Sequence, residues 1–127
     1  MHSLTPELLV DDLPKTISWY QSILGFEIIS ISPDSTNPTF ARLKKGGVEI
    51  MFYHRTEFAL EIPSFTDTRI GGSIALYLTV DDIQSIWDMI QDKAKVIQPL
   101  HNTDYGSREF TILDCNGYHL MFGERSA

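Results

Sequence analysis

The pattern of apolar and polar residues first predicts a short strand followed by a helix. Leu4–Val10 alternates with the two-residue period of a strand. Apolar residues then recur every three or four positions, which places them on one face of a helix. This stripe consists of Leu13, Ile17, Tyr20 and Leu24. Asp11 and Asp12 supply an N-cap, Pro14 suits the first turn, and Gly25 ends the helix.

Three further strands complete a first module. They are predicted at Phe26–Ile31, Thr39–Leu43 and Val48–Tyr53. The polar stretch Ser32–Pro38 forms a loop between the first two. Lys44–Gly47 predicts a hairpin turn, because its glycines permit positive φ. The order of elements in this module is therefore β-α-β-β-β.

The second half of the chain repeats this order. Its predicted strands are Ser73–Val80, Lys95–Gln98, Arg108–Leu113 and Tyr118–Phe122. Asp81 and Asp82 again cap a helix, whose apolar stripe consists of Ile83, Ile86, Trp87 and Ile90. Pro99 is expected to interrupt the second strand, and Leu100–Ser107 to form a loop. Asp114–Gly117 is the predicted turn between the last two strands.

Matching segments in the two halves lie seventy residues apart. The matches are Val10–Leu13 with Val80–Ile83, Phe40 with Phe110, Leu43 with Leu113, and Gly47–Phe52 with Gly117–Phe122. A constant spacing over this length indicates two copies of one module. We therefore predict one domain built from modules 1–57 and 72–127. The linker, residues 58–71, is rich in turn-forming residues.

Alternation within the strands assigns the two faces of each sheet. The uniformly apolar face is expected to pack under the helix; its members are Leu8, Val10, Val48, Ile50, Phe52, Leu76, Leu78, Val80, Leu120 and Phe122. The opposite face is mixed in polarity, as in a ligand-lined cavity. Its members are Thr5, Glu7, Leu9, Glu49, Met51, Tyr53, Ala75, Tyr77, Thr79, His119, Met121 and Gly123.

Composition narrows the class of protein. The 127 residues are 43% hydrophobic and 21% charged, which is ordinary for a globular domain. The net charge of −7 argues against nucleic-acid binding and is compatible with a cationic ligand. The single cysteine, Cys115, excludes an internal disulfide and fits a reducing compartment. With no signal-peptide pattern and no membrane-spanning apolar run, we expect a cytoplasmic protein.

Two motifs resemble the vicinal oxygen chelate superfamily, which contains glyoxalases, bleomycin-resistance proteins and extradiol dioxygenases. One is the helix end Trp19-Tyr20-Gln21-Ser22-Ile23-Leu24-Gly25-Phe26. The other is the closing hairpin, Gly106-Ser107-Arg108-Glu109-Phe110 followed by Asp114 and Asn116-Gly117. The resemblance implies an α+β fold of two β-α-β-β-β modules whose mixed sheets curl around a cup-shaped site. It also implies a homodimer.

The resemblance further implies where a metal would bind. Glyoxalase I takes one ligand, usually His, Glu or Gln, from the first and last strand of each module. The corresponding positions here are Thr5, Met51, Ala75 and Met121. None of these side chains is a suitable ligand for Mg²⁺, Mn²⁺, Fe²⁺ or Zn²⁺. We therefore expect no metal, no cofactor and no catalytic residue.

The metal-free members of this superfamily imply the leading hypothesis, a bleomycin-resistance-type protein that binds a small molecule, such as a flat cationic antibiotic. The expected ligand-binding residues are Glu7, Leu9, Glu49, Met51, Tyr53, Tyr77, Tyr105, Glu109, His119 and Met121. Tyrosines could stack on a planar ligand, and methionines could form adaptable walls. Packing between the modules explains the methionines equally well.

Two alternatives stay open. A shift of one or two residues in the last strand of each module would bring Glu49 and His119 into the metal positions. The protein would then be a metal-dependent glyoxalase-like lyase or dioxygenase. The other alternative is a domain that binds another protein or has no ligand. Neither alternative requires nucleic acid or a membrane as a partner.

Overall fold

The computed structural model describes residues 1–125, which form two compact units, Met1–Ile70 and the part beginning at Gly71. The first unit contains β1 (Glu7–Val10), α1 (Leu13–Leu24), β2 (Glu27–Ser32), β3 (Phe40–Lys45), β4 (Val48–His54) and α2 (Arg55–Glu61). The second contains β5 (Ala75–Val80), α3 (Ile83–Ile90), β6 (Lys95–Asn102), β7 (Arg108–Leu113) and β8 (His119–Glu124).

Each unit has a four-stranded mixed sheet with the same topology. The strand order is β1-β4-β3-β2 in the first unit and β5-β8-β7-β6 in the second. The first strand of each unit runs parallel to the last, whereas the other pairs are antiparallel. This confirms the predicted α+β fold of two β-α-β-β-β modules with mixed sheets.

Both module helices begin at the predicted caps. The Asp12 carboxylate accepts a hydrogen bond from the Lys15 amide at 3.0 Å, and Asp82 accepts one from the Ser85 amide at 3.2 Å. These bonds satisfy backbone donors that the first helical turn leaves unpaired. Gly25 ends α1 with a φ of 73°, which only glycine adopts readily.

The hairpins that close the two units differ by one residue. Lys45 pairs with Val48, which leaves Gly46 and Gly47 in a two-residue turn. The corresponding turn of the second unit has three residues, because the Asp114 amide bonds to the Tyr118 carbonyl at 2.9 Å. The Asp114 carboxylate organises this longer turn by accepting hydrogen bonds from the backbone amides of Asn116 and Tyr118.

The extra residue corrects two of the predicted matches. On β3 and β7 the spacing between equivalent positions is sixty-nine residues, since Ala41 and Phe110 face the equivalent residues Phe52 and Phe122. Phe40 therefore corresponds to Glu109, and Leu43 corresponds to Ile112, whereas the sequence matches were Phe110 and Leu113. A shift of one residue reverses the face of a strand residue. The seventy-residue spacing holds for β1 with β5 and β4 with β8.

Strand β6 continues past Pro99, where the sequence predicts an interruption. It extends to Asn102, so that His101 lies in a strand and not in the predicted loop. Register shifts on both sides of Gln98 accommodate the irregular segment. Because β6 is at the edge of its sheet, the missing N–H of Pro99 removes no hydrogen bond to a further strand.

The segment predicted as a linker contains regular structure. Helix α2 follows directly after β4, and a 3₁₀ turn covers Pro63–Phe65. Phe58 of α2 is buried, and its ring lies 5.2 Å from that of Tyr53. A seven-residue helix is too short to show a clear helical period in the sequence. A helix of this length is stabilised mainly by packing, here against the neighbouring strands.

The core of each unit lies between one sheet face and its helix. In the first unit Val10, Leu43, Ile50 and Phe52 are at most 2% exposed. In the second unit the fully buried side chains are Ile83, Ile90, Phe110, Ile112 and Leu120. None of the helices within residues 1–125 is long and apolar enough to cross a membrane.

We predict that Leu43→Ala and Ile112→Ala each lower the free energy of unfolding by about 2–5 kcal/mol, because each leaves a cavity in a closed core. Urea denaturation followed by circular dichroism measures this loss. Leu60→Ala is the control, since Leu60 is 75% exposed and its truncation should cost less than about 0.5 kcal/mol. Equal costs at all three positions would contradict this assignment of the core.

Candidate functional site

The sheet face opposite α3, here called the open face of the second unit, carries the main polar cluster. The α3 side is identified by Phe110, whose ring lies 5.1 Å from that of Trp87 on the helix. Alternation therefore directs Glu109 to the open face. Register places Gly123 opposite Glu109, and Met121 beside Tyr77. The first, third and fourth strands of the module thus contribute to one surface.

Glu109 is the centre of this cluster. Its carboxylate accepts a hydrogen bond from the Tyr77 hydroxyl at 2.6 Å and from the Tyr105 hydroxyl at 2.7 Å. The residue is only 4% exposed, whereas Tyr77 and Tyr105 are 52% and 73% exposed. A covered carboxylate therefore lies behind two tyrosines that remain accessible.

These contacts keep Glu109 ionised. The hydrogen bond from Tyr77 is the largest influence and holds the pKa of the Glu109 carboxyl below its usual value, against the opposing effect of desolvation; Tyr105 and the nearby His101 act in the same direction as Tyr77. The same hydrogen bonds raise the pKa of the Tyr77 and Tyr105 phenols, since each proton is shared with an anion. Within residues 1–125 no Lys, Arg or His nitrogen lies within 4 Å of this carboxylate.

Gly123 is what allows Tyr77 to reach Glu109. Tyr77 is on β5 and Glu109 is on β7, and β8 lies between them. The Tyr77 side chain crosses β8 at Gly123, where an added Cβ would overlap both its hydroxyl and its ring. A glycine within a strand is a signal for such a close approach, although the sequence analysis did not use it.

The open face of the first unit has different contacts. The expected site residues pair across β1 and β4 as Glu7 with Met51 and Leu9 with Tyr53. Glu49 forms an ion pair of 3.3 Å with Arg42, which the sequence analysis did not single out. Both side chains are about one-third exposed, so this pair contributes little stability.

Helix α2 covers part of this first face. It contacts β1 and β4, and the aromatic rings of Phe40, Tyr53, Phe58 and Phe65 form a chain of edge-on contacts. Leu9 is consequently buried, at 5% exposure, and is not an accessible lining residue. Leu9 was expected to line an open site because α2 was not predicted from the sequence.

Glu61 of α2 adds negative charge beside Tyr53 and Glu7. The Tyr53 hydroxyl donates a hydrogen bond of 3.3 Å to the Glu61 carboxylate. Desolvation is the main cause that raises the pKa of the Tyr53 phenol, and Glu61 adds to it. Desolvation, with a smaller contribution from the charge of Glu61, likewise raises the pKa of the Glu7 carboxyl.

Of the four positions expected for metal ligands, Thr5 precedes β1, whereas Met51, Ala75 and Met121 lie on strands. Met51 lies on β4 and Met121 on β8 at equivalent register, while Ala75 pairs with His119. His119 is exposed, and Glu49 is engaged by Arg42. Among residues 1–125 there is no group of three or more His, Cys, Asp or Glu side chains that could hold a metal ion.

Comparison of the sequence with models of known families gives a result that agrees with the paired β-α-β-β-β units. The sequence model of the Glyoxalase/Bleomycin resistance protein/Dioxygenase superfamily matches residues 2–122. The chain belongs to this superfamily. No curated protein matches the sequence.

Solved structures with the same fold come from several bacteria. TioX from Micromonospora sp. ML1 is 21% identical, with a TM-score of 0.75 over 98% of this chain and 97% of its own. TnmS3, an antibiotic binding protein from Streptomyces sp. CB03234, is 18% identical, with a TM-score of 0.75 over 99% and 97%. A glyoxalase-related enzyme from Fulvimarina pelagi is 14% identical, with a TM-score of 0.79 over 98% and 89%. At these identities the similarity establishes the fold alone.

We predict that Gly123→Ala displaces Tyr77 without unfolding the protein, because the side chain that must move is exposed and can rotate into solvent. Loss of its hydrogen bond should raise the pKa of Glu109, as measured by NMR titration of the Glu109 carboxyl carbon. Gly47→Ala is the control, since a Cβ there meets no atom within 4 Å. An unchanged Glu109 pKa in Gly123→Ala would contradict the crossing geometry.

We predict an acid-sensitive contribution of Glu109 to stability. Its folded-state pKa is depressed, so this contribution is present above the ordinary glutamate value of 4.5 and is lost as pH falls through the folded-state pKa. Glu109→Gln should therefore flatten the pH dependence of the free energy of unfolding below about pH 4.5, measured by urea denaturation at a series of pH values. Identical pH slopes in the two proteins would show that the tyrosine contacts do not bias ionisation.

Proposed function

We propose that this protein binds a small organic cation, such as a planar cationic antibiotic, without a metal ion. The observation that carries this proposal is the ionised Glu109 carboxylate, which two accessible tyrosines contact and no cationic side chain of residues 1–125 neutralises. The ligand is proposed to contact the open face of the second unit. A homodimer stays a prediction from the resemblance, and a cytoplasmic location stays a prediction from the sequence pattern.

The charge supports a cation as the ligand. A carboxylate that is 4% exposed has lost most of its hydration, and two hydrogen bonds only partly replace it. A cation near the cluster would gain Coulomb energy that water screens less than at an exposed site. The net charge of −7 would also attract such a ligand over a longer distance.

The tyrosines support a planar ligand. Each phenol donates a hydrogen bond to the carboxylate and leaves part of its ring accessible. A cation over such a ring gains about 0.5–2 kcal/mol, depending on how far it is desolvated. Stacking of a flat ligand adds about 0.5–1.5 kcal/mol for each aromatic pair. Met121, next to Tyr77 in the register, offers an adaptable apolar neighbour.

The side chains at the superfamily's metal positions support binding without a metal. Thr5 is a weak neutral donor, Ala75 has no donor atom, and the thioethers of Met51 and Met121 are too soft for the usual divalent ions. The similar structure described as an antibiotic binding protein adds a precedent for this class of ligand on the same fold. It does not identify the ligand, since one fold supports many functions.

Calorimetric titration with a bleomycin-class drug tests the proposal. We predict saturable binding to the wild-type protein and about tenfold or greater weakening in Glu109→Gln, because the change removes the negative charge that favours the cation. Glutamine keeps the size of the side chain and can still form hydrogen bonds with both tyrosines. Glu27→Gln makes the same chemical change on the exposed strand β2 and should bind as the wild type does.

Two results would overturn the proposal. One is the absence of both heat and a thermal shift at high drug concentration. The other is a stoichiometric amount of Zn, Ni, Mn or Fe in protein purified without chelator, lost on His119→Ala or Glu49→Ala. That result would favour the metal-dependent lyase or dioxygenase.

A further inference from the structure

A groove on the helix side of the second unit is separate from the open face. It has a volume of about 300 Å³, at the small end of the range for small-molecule pockets. Its lining residues are Gln84, Trp87, Leu100, His101, Asn102 and Arg108. Helix α3, the edge strand β6 and the start of β7 contribute these residues. Polar groups make up most of the groove's lining, whereas a packing defect in the core would be lined by apolar side chains.

A relay of hydrogen bonds orients the guanidinium of Arg108 in this groove. The Gln84 side-chain nitrogen donates to the Asp88 carboxylate at 3.0 Å. This fixes the amide so that its oxygen accepts a hydrogen bond of 2.6 Å from Arg108. Only one of the five N–H donors of the guanidinium is thereby bonded to a neutral acceptor, the Gln84 side-chain oxygen. The remaining donors retain the forked geometry that matches a carboxylate.

The charge of Arg108 has no direct counterion within residues 1–125. No carboxylate of this part of the chain lies within 4 Å of it. Asp88 accepts a hydrogen bond from Gln84, and Asp82 accepts hydrogen bonds from the Ser85 hydroxyl and amide at the start of α3. These bonds from Ser85, and to a smaller degree the more distant charge of Arg108, lower the pKa of the Asp82 carboxyl. Arg108 is only partly exposed, so an anion in the groove would gain more than at a fully solvated arginine.

Within this mainly polar groove, Trp87 and Leu100 offer a limited apolar surface for the flat body of a ligand. Trp87 is held in place by its tilted contact with the buried ring of Phe110, at a centroid distance of 5.1 Å. Leu100 adds an apolar surface, and the Asn102 side chain adds an amide at the edge strand. His101 also lines the groove, and its Nδ1 donates a hydrogen bond of 2.8 Å to the Pro99 carbonyl.

We propose that this groove is a binding site for a small aromatic carboxylate, with its carboxylate on Arg108 and its ring against Trp87. The inference does not depend on the proposed binding of a cation. Neighbouring residues of β7 point to opposite faces of the sheet, so Arg108 serves the groove while Glu109 serves the open face. One short strand would thus present a positive site and a negative site on opposite sides.

The test uses 2-naphthoate as the probe and NMR of the ¹⁵N-labelled 127-residue chain as the readout. We expect saturable shifts of the Trp87 indole N–H, the Arg108 side chain and the amides of residues 100–102. Arg108→Gln should weaken binding about tenfold or more, since hydrogen bonds between charged groups are the strongest in the groove. Arg69→Gln is the matched control, because Arg69 is exposed and does not line the groove.

Further ligands distinguish the contribution of the carboxylate to binding from that of the aromatic ring. The neutral analogue 2-naphthamide should bind at least tenfold more weakly than 2-naphthoate, and inorganic phosphate should produce no saturable shift at comparable concentrations. Thermal unfolding identifies any loss of fold in Arg108→Gln. The inference is wrong if naphthoate shifts residues of the open face but not the groove, if naphthamide or phosphate binds equally well, or if the wild-type protein shows no saturable shift.

Discussion

Packing of one helix against one face of a four-stranded sheet is the constraint on which the rest of each unit depends. Because Phe52 and Phe122 and their neighbours bury their side chains on the helix side, the alternate residues of the same strands must face the other way. The opposite face is thereby free to carry polar and aromatic groups. This separation lets the core remain apolar while a carboxylate such as Glu109 lies one residue away from the buried Phe110.

The two units use this freedom differently. In the first, helix α2 and its aromatic contacts cover part of the opposite face, and the acidic residue Glu49 is neutralised by Arg42. In the second, the equivalent of Phe40 is Glu109, and tyrosines replace a counterion. The duplicated fold therefore has one face with more apolar cover and one with an ionised group, which is why the second unit carries the proposed site.

Gly123 and the length of the turn between β7 and β8 determine the geometry around Glu109. Gly123 leaves the space through which Tyr77 crosses a strand, and the three-residue turn shifts β7 by one position relative to the first unit. A two-residue turn would have moved Glu109 to the helix side, where a carboxylate would face an apolar core. The same shift directs Arg108 towards the groove beside α3. Both proposed sites therefore depend on the register that this turn sets.

The sequence by itself determined the β-α-β-β-β order, the helix caps at Asp12 and Asp82, the superfamily and the candidate residues Tyr77, Tyr105 and Glu109. These features follow from local periodicity and short motifs, which need no knowledge of distant contacts. Tertiary structure alone decided that the three residues share hydrogen bonds, that α2 buries Leu9, and that β6 continues past Pro99. It also decided the register of β7, because strand pairing and burial depend on residues far apart in the chain, where local patterns carry no information.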